Sequence, residues 1–272
     1  MHKLILDIGS NALKGSLYDA RTGAIQRDWR IVTGIGRDVA PDGTIGPEAE
    51  SRLIAAAKQV LWEAAAIDGS PVPAHAIATE AFRRAANRDA IARRFGEATD
   101  GTVLEVIAGD EEARLERVAV LQTQRVQQNP GVPFFHVDAG GSSTECSVLD
   151  GAHAVAFTHS FPFGRHALLA MRPERPIALC DLLAELRRRI DDVHPRFATL
   201  AGSSVLSYLK ATGQHRDDPV RAGLPIPTDA DDGAVAGSLL VSALASVFDG
   251  PMYATKAGVR HGWIAEHLDP AT

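Results

Sequence analysis

The chain has 272 residues, which is enough for two lobes that each bury a core of their own. An apolar content of 45% with 23% charged residues is typical of a globular protein in water. The net charge of −6 excludes a broad basic surface, and with it a general nucleic-acid binder, so a phosphate site has to be a local concentration of donors.

The cysteines and the N-terminus predict a cytoplasmic protein. Cys146 and Cys180 are too few for a disulfide framework, and their apolar neighbours predict buried, reduced thiols. The N-terminal sequence MHKLILDIGS enters a short apolar run without a small-residue cleavage site, as a first strand does. Because no stretch reaches the roughly 18 apolar residues that cross a bilayer, no membrane partner is expected.

The chain opens with a strand, a polar turn and a second strand. The first strand ends at Asp7, the turn contains Gly9, Ser10 and Asn11, and a third strand is predicted over 25–32. Glycine lets the backbone approach an anion, and N–H groups with Ser and Asn side chains can donate to phosphate oxygens. One such turn alone is more typical of an ordinary hairpin than of a phosphate site.

Helical patterns follow this opening. Apolar residues repeat every three or four positions over 49–64, which predicts a helix, and a short strand follows over 75–78. A basic helical stretch over 80–95 comes next, and most of its arginines are typical of a solvated face. Arg83 and Arg84 lie in its first turns, close enough to the strand end to reach a substrate phosphate.

A strand over 103–107 leads to an acidic cluster at the start of a helix over 111–124. The cluster consists of Asp110, Glu111 and Glu112, and the helix dipole alone explains acids at this end. The dipole does not explain why the strand delivers them to the sheet edge that carries the Asp-Gly turn, where α/β folds place ligands. The cluster therefore predicts a group that positions water.

The opening pattern returns after the polar turn QQNPGV at 127–132, which we interpret as the boundary between domains 1–127 and 128–272. A strand over 134–137 ends at Asp138, and a loop of small residues follows. This loop contains Gly140, Gly141, Ser142, Ser143 and Thr144. Two copies of one pattern predict two related domains, with two phosphate loops that close on one substrate from opposite lobes.

Asp7 and Asp138 predict a magnesium site. Each ends an apolar strand at the mouth of such a loop, where a carboxylate can hold a hydrated Mg²⁺. A lone Asp would more often cap the turn, but the matched placement favours a metal, and Asp138 is the stronger candidate because Glu145 lies on the same hairpin. Hydrolysis at phosphorus needs charge neutralisation, alignment and a positioned water, which these groups can supply.

The second half repeats the order of the first. A helix is predicted over 179–193 and a strand over 197–201, and residues 202–204 open another helix. After a loop over 213–231, a helix over 234–248, a strand near 252 and a last helix from 259 are predicted. Three strands followed by alternating helix and strand, twice over, predict an α/β protein of two ribonuclease-H-like domains with an interdomain cleft. Packing of the last helix on the first domain is compatible with this arrangement.

Five motifs together resemble one family: DIGSN, ATEAFRRA, GDEEARL, VDAGGSSTE and the terminal GVRHGW. They occur in the order of the exopolyphosphatase and guanosine pentaphosphate phosphohydrolase (Ppx/GppA) family, which has the actin-like ATPase fold. GDEEARL and DAGGSSTE are specific, whereas DIGSN also suits sugar kinases and chaperone ATPases. The resemblance implies Mg²⁺-dependent release of terminal phosphate from inorganic polyphosphate or from the 5′ end of pppGpp, so the expected partner is a small phosphoanhydride.

The resemblance also implies roles for single residues. By motif position, Glu112 corresponds to the carboxylate that activates water, and Glu111 is the neighbour that can be tested as its substitute. Asp138 and Glu145 correspond to residues that hold the metal and help to polarise the water. Phosphate binding falls to Asn11, Arg83 and the loop 140–144.

The sequence also departs from the family pattern. Ser142 stands where a third glycine is usual, and Ala12 and Lys14 replace the more usual Ser and Arg-type residues. Longer members also continue into an all-helical region, and without it we expect short polyphosphate chains or a nucleotide as substrate. Two other functions stay open, a nucleotide sensor that does not hydrolyse and a kinase of the same fold, and a homodimer is one option for the assembly.

Overall fold

The computed structural model describes residues 1–170 and 177–269, and the chain forms two compact units. Unit 1 comprises Met1–Leu115 and Val259–Thr272, and unit 2 comprises Glu116–Gly258. These limits differ from the sequence division between residues 127 and 128 in two respects. The limit between Leu115 and Glu116 falls inside a continuous helix, and the C-terminal segment belongs to unit 1. Within the described ranges, no helix combines the length and apolar character of a membrane span.

The strands follow the predicted order in both halves. The strands are β1 (His2–Ile8), β2 (Ala12–Asp19), β3 (Ile25–Val32), β4 (Ala74–Ala78), β5 (Val103–Val106), β6 (Phe134–Ala139), β7 (Thr144–Leu149), β8 (Val155–Phe161), β9 (Phe197–Ala201) and β10 (Met252–Ala254). The helices are α1 (Pro47–Asp68), α2 (Glu80–Arg84), α3 (Arg88–Ala98), α4 (Gly109–Leu121), α5 (Gln124–Gln127), α6 (Arg165–Ala170), α7 (Ile177–Val193), α8 (Ser203–Ala211), α9 (Asp232–Ala245) and α10 (Val259–Glu266). A 3₁₀ turn occupies Ile35–Arg37.

The two sheets have the same topology. In unit 1 the strand order is β3-β2-β1-β4-β5, and in unit 2 it is β8-β7-β6-β9-β10. The first three strands of each sheet are antiparallel, and the last two run parallel to the first strand of their unit. This confirms the prediction of duplicated ribonuclease-H-like domains of the actin-like fold.

Strand β1 is apolar over residues 4–6 because both of its faces are covered there. Leu4 and Leu6 point into a core that includes residues of α1 and α3, whereas Ile5 points to the other face and joins Val259 and Ile264 of α10. A central strand covered on both sides reads as a continuous apolar run rather than as an alternating one. The last helix therefore packs on the sheet of unit 1, as the sequence allowed.

The predicted basic helix over 80–95 is wrong at its centre, where the chain breaks between α2 and α3. Asn87 accepts a hydrogen bond from the Ile45 N–H at 3.0 Å and donates to the Ile45 carbonyl at 2.9 Å. The Ala86 N–H also donates to the Gly43 carbonyl at 2.9 Å. These bonds to a remote loop replace helical ones, which local periodicity could not indicate.

The cysteine prediction is correct for one residue and wrong for the other. Cys146 is fully buried, and burial raises the pKa of its thiol. Cys180 is exposed, because on α7 it lies on the outer face while Leu179 and Leu182 point into the core. The cytoplasmic location and the homodimer stay predictions.

Gly262 of α10 provides a test of the packing within unit 1. A Cβ atom at this position would lie 1.9 Å from the Leu115 carbonyl oxygen and 2.6 Å from its carbon, so no side chain fits against that backbone. We expect Gly262→Ala to lower the free energy of unfolding by roughly 2–3 kcal/mol or more, measured by urea denaturation.

The matched control is Gly96→Ala in α3, another glycine within a helix. Its added Cβ would meet only the Thr102 oxygen at 3.5 Å, an ordinary contact. Alanine favours a helix over glycine, so this variant should gain about 0.5–1 kcal/mol. A stable Gly262→Ala protein, or equal changes in both variants, would contradict the packing argument.

Candidate active site

The first predicted phosphate loop is a tight turn braced by the segment that follows β3. The Gly9 N–H closes the turn on the Ala12 carbonyl at 3.1 Å. The Asn11 carbonyl accepts hydrogen bonds from the Thr33 and Gly34 N–H groups, both at 3.1 Å. Among the described residues, the Ser10 hydroxyl and the Asn11 amide have no hydrogen-bond partner. Both side chains therefore stay available as donors to an anion.

Asp7 lies beside this turn and already has a cationic partner. It is directly opposite Lys14 in the register of β1 and β2, and the Lys14 ammonium donates to its carboxylate at 3.1 Å. The Asp7 side chain is almost fully buried. An ammonium therefore neutralises part of the charge that the sequence assigned to a metal, and the metal role of Asp7 stays a prediction.

Arg83 and Glu112 form an ion pair in unit 1. The Arg83 Nη1 donates to the Glu112 carboxylate at 2.6 Å and to the Ile107 carbonyl at 3.1 Å. Its Nε and Nη2 donate to Glu80 at 3.2 and 3.0 Å. Burial works to lower the pKa of Arg83, but the charges and hydrogen bonds of Glu112 and Glu80 outweigh burial and raise that pKa. The structure thus joins the predicted phosphate ligand to the predicted water-activating carboxylate.

The sheet of unit 1 brings these residues to one edge. Strands β1, β4 and β5 are parallel, and Ile8 is in register with Ala78, which is in register with Val106. The first loop, α2 and α4 all begin just after these positions. This carboxyl edge is where α/β sheets bind ligands, as the sequence analysis predicted.

The three acids at the start of α4 have different environments. Asp110 is exposed, and Glu112 is only 6% exposed. Glu111 accepts hydrogen bonds from the Nε and Nη2 of Arg114, at 2.8 Å each, and these hydrogen bonds lower the pKa of Glu111. Arg114 also binds Glu266 of α10 at 2.6 and 2.7 Å. Glu111 is therefore committed to a structural ion pair, whereas Glu112 contacts Arg83.

The second loop, in unit 2, is braced by the residues before and within α6. The Gly140 carbonyl accepts from the Arg165 N–H at 2.9 Å, and the Gly141 carbonyl accepts from the His166 N–H at 3.1 Å. A Cβ atom on Gly164 would lie 2.6 Å from backbone atoms of Gly141 and Ser142, so this loop needs glycine there. Sequence reasoning missed α6 and Gly164, because the contact joins segments far apart in the chain.

Thr144 ends this loop and has a structural task. Its side chain is fully buried, and its hydroxyl donates to the Phe163 carbonyl at 2.7 Å. Ser142 and Ser143 have no side-chain hydrogen bond among the described residues. The two serine hydroxyls are therefore better placed than the Thr144 hydroxyl to donate to a phosphate.

Asp138 and Glu145 are direct neighbours across β6 and β7. Glu145 is 2% exposed and accepts a hydrogen bond from the Ser160 hydroxyl at 2.7 Å. A Cβ on Gly202 would lie 3.0 Å from one Asp138 oxygen, and a Cβ on Gly258 would lie 3.7 Å from the other. Two carboxylates opposite each other repel unless a cation joins them, and glycines leave room around Asp138. Oxygen ligands of this kind fit Mg²⁺.

One further acid of α4 escaped the sequence analysis. Glu116 follows Glu112 by four residues, which places both on one side of the helix, and Glu116 is almost fully buried. The i,i+4 spacing of two glutamates was the available signal. A buried glutamate one turn from the candidate catalytic carboxylate belongs in any variant series at this site.

Comparison with solved structures shows the fold. An exopolyphosphatase from Cytophaga hutchinsonii is 16% identical with a TM-score of 0.78, and the match covers 100% of this chain and 99% of that one. The type II variant of the Aquifex aeolicus Ppx/GppA phosphatase is 20% identical with a TM-score of 0.70, over 99% and 100% of the two chains. At these identities the likeness concerns the fold alone.

Comparison of sequences identifies the family. Among curated proteins there is no significant match. The sequence profile of the Ppx/GppA phosphatase family matches residues 24–193, which is more than half of the 272 residues. The matched range includes the Arg83–Glu112 ion pair and the Asp138–Glu145 hairpin described above. The protein therefore belongs to the Ppx/GppA phosphatase family.

Proposed function

We propose that the protein releases terminal phosphate from inorganic polyphosphate, with short chains preferred, or from pppGpp, in a Mg²⁺-dependent reaction. Membership of the Ppx/GppA phosphatase family supports hydrolysis of a phosphoanhydride as the general reaction. The observation that carries the finer proposal is the ion pair of Arg83 and Glu112 at the carboxyl edge of the sheet. In this contact a guanidinium that can bind phosphate is joined to a buried carboxylate.

The hydrogen bonds of Arg83 leave it able to bind a phosphate without releasing Glu112. A guanidinium has five N–H donors. The Arg83 donors reach Glu112, the Ile107 carbonyl and, through Nε and Nη2, Glu80. One Nη2 N–H is left over for a phosphate oxygen. Arg83 can thus hold the phosphate and Glu112 in a constant relation, which is what positioning an attacking water requires.

Glu112 is proposed to orient the water that attacks phosphorus and to accept its proton. A buried carboxylate that is ion-paired with Arg83 keeps a defined direction, as a general base requires. The Ser10 and Asn11 side chains and the loop 140–144 are proposed to donate to phosphate oxygens.

Asp138 and Glu145, with Asp7 as the third candidate, are proposed to hold Mg²⁺. When bound, the ion neutralises charge on the phosphoanhydride and polarises the bond that breaks. The Ser160 hydroxyl donates to one Glu145 oxygen, which orients this carboxylate. Lys14 keeps Asp7 partly neutral, so Asp7 contributes least to this set.

A substrate panel tests the proposal. Purified protein is incubated with tripolyphosphate, long polyphosphate, pppGpp and ATP in excess Mg²⁺, and free phosphate is measured. We expect release from tripolyphosphate or pppGpp and little from ATP. Tight nucleotide binding without phosphate release would instead support a sensor, and phosphoryl transfer from ATP to an acceptor would support a kinase.

A further inference from the structure

The segment between β3 and the 3₁₀ turn is pressed against the first phosphate loop. The Gly36 N–H donates to the Ser10 carbonyl at 2.7 Å, which adds to the bonds that Thr33 and Gly34 make to Asn11. A Cβ atom on Gly36 would lie 2.6 Å from the Ser10 Cβ, so the two backbones touch. Whatever follows Gly36 is therefore held at the rim of this loop.

Arg37 is that next residue, and its guanidinium lies close to Gly34. A Cβ atom built on Gly34 would meet the Arg37 Nη2 at 3.0 Å and its Nε at 3.6 Å. Gly34 is the residue whose N–H binds the Asn11 carbonyl. The guanidinium thus lies next to a residue that is hydrogen-bonded to the turn with the Ser10 and Asn11 donors.

The neighbouring acid does not neutralise Arg37. Asp38 forms an ion pair with Arg52 of α1, and the Arg52 Nε also donates to the Thr33 carbonyl at 3.1 Å. Arg37 is exposed, and although its backbone N–H donates to the Gly34 carbonyl at 3.0 Å, its guanidinium has no hydrogen bond or ion pair with any described residue. An arginine whose backbone is held beside the predicted phosphate loop, and whose charge no acid compensates, has its planar guanidinium available for a phosphate.

We propose that Arg37 binds the phosphoryl group adjacent to the one that is cleaved, so that the first loop accepts two linked phosphoryl groups. This inference rests on the proposed function and names a residue that selects the substrate. Ser10 and Asn11 serve the reacting group, and Arg37 serves its neighbour along the phosphoanhydride chain. The site then favours a phosphoanhydride over orthophosphate or a simple monoester.

The test is a comparison of Arg37→Gln with wild type on two ligands. For tripolyphosphate, KM should rise roughly tenfold, the loss expected for one charge-assisted hydrogen bond, with the effect on KM rather than on kcat. For orthophosphate, which has no second phosphoryl group, the inhibition constant should stay the same. Arg37→Lys should recover part of the loss, because an ammonium keeps the charge without the fork.

The matched control is Arg93→Gln, another exposed arginine of unit 1 that pairs with Glu97 on α3 at 2.8 Å. Its KM for tripolyphosphate should equal that of wild type. An unchanged KM in Arg37→Gln, or an equal loss for orthophosphate, would overturn the inference. If wild type hydrolyses no phosphoanhydride, the proposed function fails, and calorimetry of tripolyphosphate binding to wild type and Arg37→Gln still decides the role of Arg37.

Discussion

Glu112→Gln is expected to lower kcat by roughly a thousandfold, the contribution typical of a general base. The amide has the size of the carboxylate and still accepts a hydrogen bond from Arg83, but it cannot take a proton from water. Arg83 also keeps Glu80 and the Ile107 carbonyl, so removal of one partner leaves its charge compensated. Phosphate release from tripolyphosphate at saturation measures the effect.

Two measurements separate catalysis from folding in this variant. The melting temperature of Glu112→Gln should stay within a few degrees of wild type, since a loss of about 1 kcal/mol shifts it by that amount in a chain of this size. Glu111→Gln is the matched control, because Glu111 pairs with Arg114 and Glu266 shares that arginine. Full activity of Glu112→Gln, or its failure to fold, would refute the role of Glu112.

Removal of Mg²⁺ is expected to abolish phosphate release, and Asp138→Asn to raise the Mg²⁺ concentration needed for half-maximal activity by roughly a hundredfold. Asparagine keeps the shape of Asp138 but removes one of the two opposed charges that favour a cation. Activity after treatment with a chelator and after restoration with excess Mg²⁺ gives the first result. Calorimetric titration of Mg²⁺ into wild type and variant gives the second without relying on turnover.

Asp150→Asn serves as the control for this substitution in the same sheet. Asp150 caps the turn between β7 and β8 by accepting from the Ala152 and Ala154 N–H groups at 2.8 and 2.9 Å, a task that asparagine also performs. It should leave the Mg²⁺ dependence as in wild type. Undiminished turnover in the presence of the chelator would rule out the metal mechanism.

Local sequence patterns were sufficient for most of the elements. The strands over 25–32 and 197–201 have the predicted bounds, and α1 includes the predicted helical repeat over 49–64. The repeated pattern of a strand followed by an Asp-Gly loop predicted two sheets of the same topology. These features depend on neighbours within a few residues, so periodicity and turn chemistry specify them.

Contacts between remote residues decided the candidate site. Which acid of Asp110, Glu111 and Glu112 contacts Arg83 depends on the rotation of α4 and on the register of β4 with β5. The break before α3, set by Asn87 and Ile45, has the same kind of origin. A helix turns each successive side chain by about 100°, so three adjacent glutamate or aspartate residues look alike in sequence and face different partners once the helix is packed. The sequence thus identified the three acids as candidates. Only the tertiary structure decided which of them contacts Arg83, because the packing of the sheet and helices sets the distances between residues that are far apart in the chain.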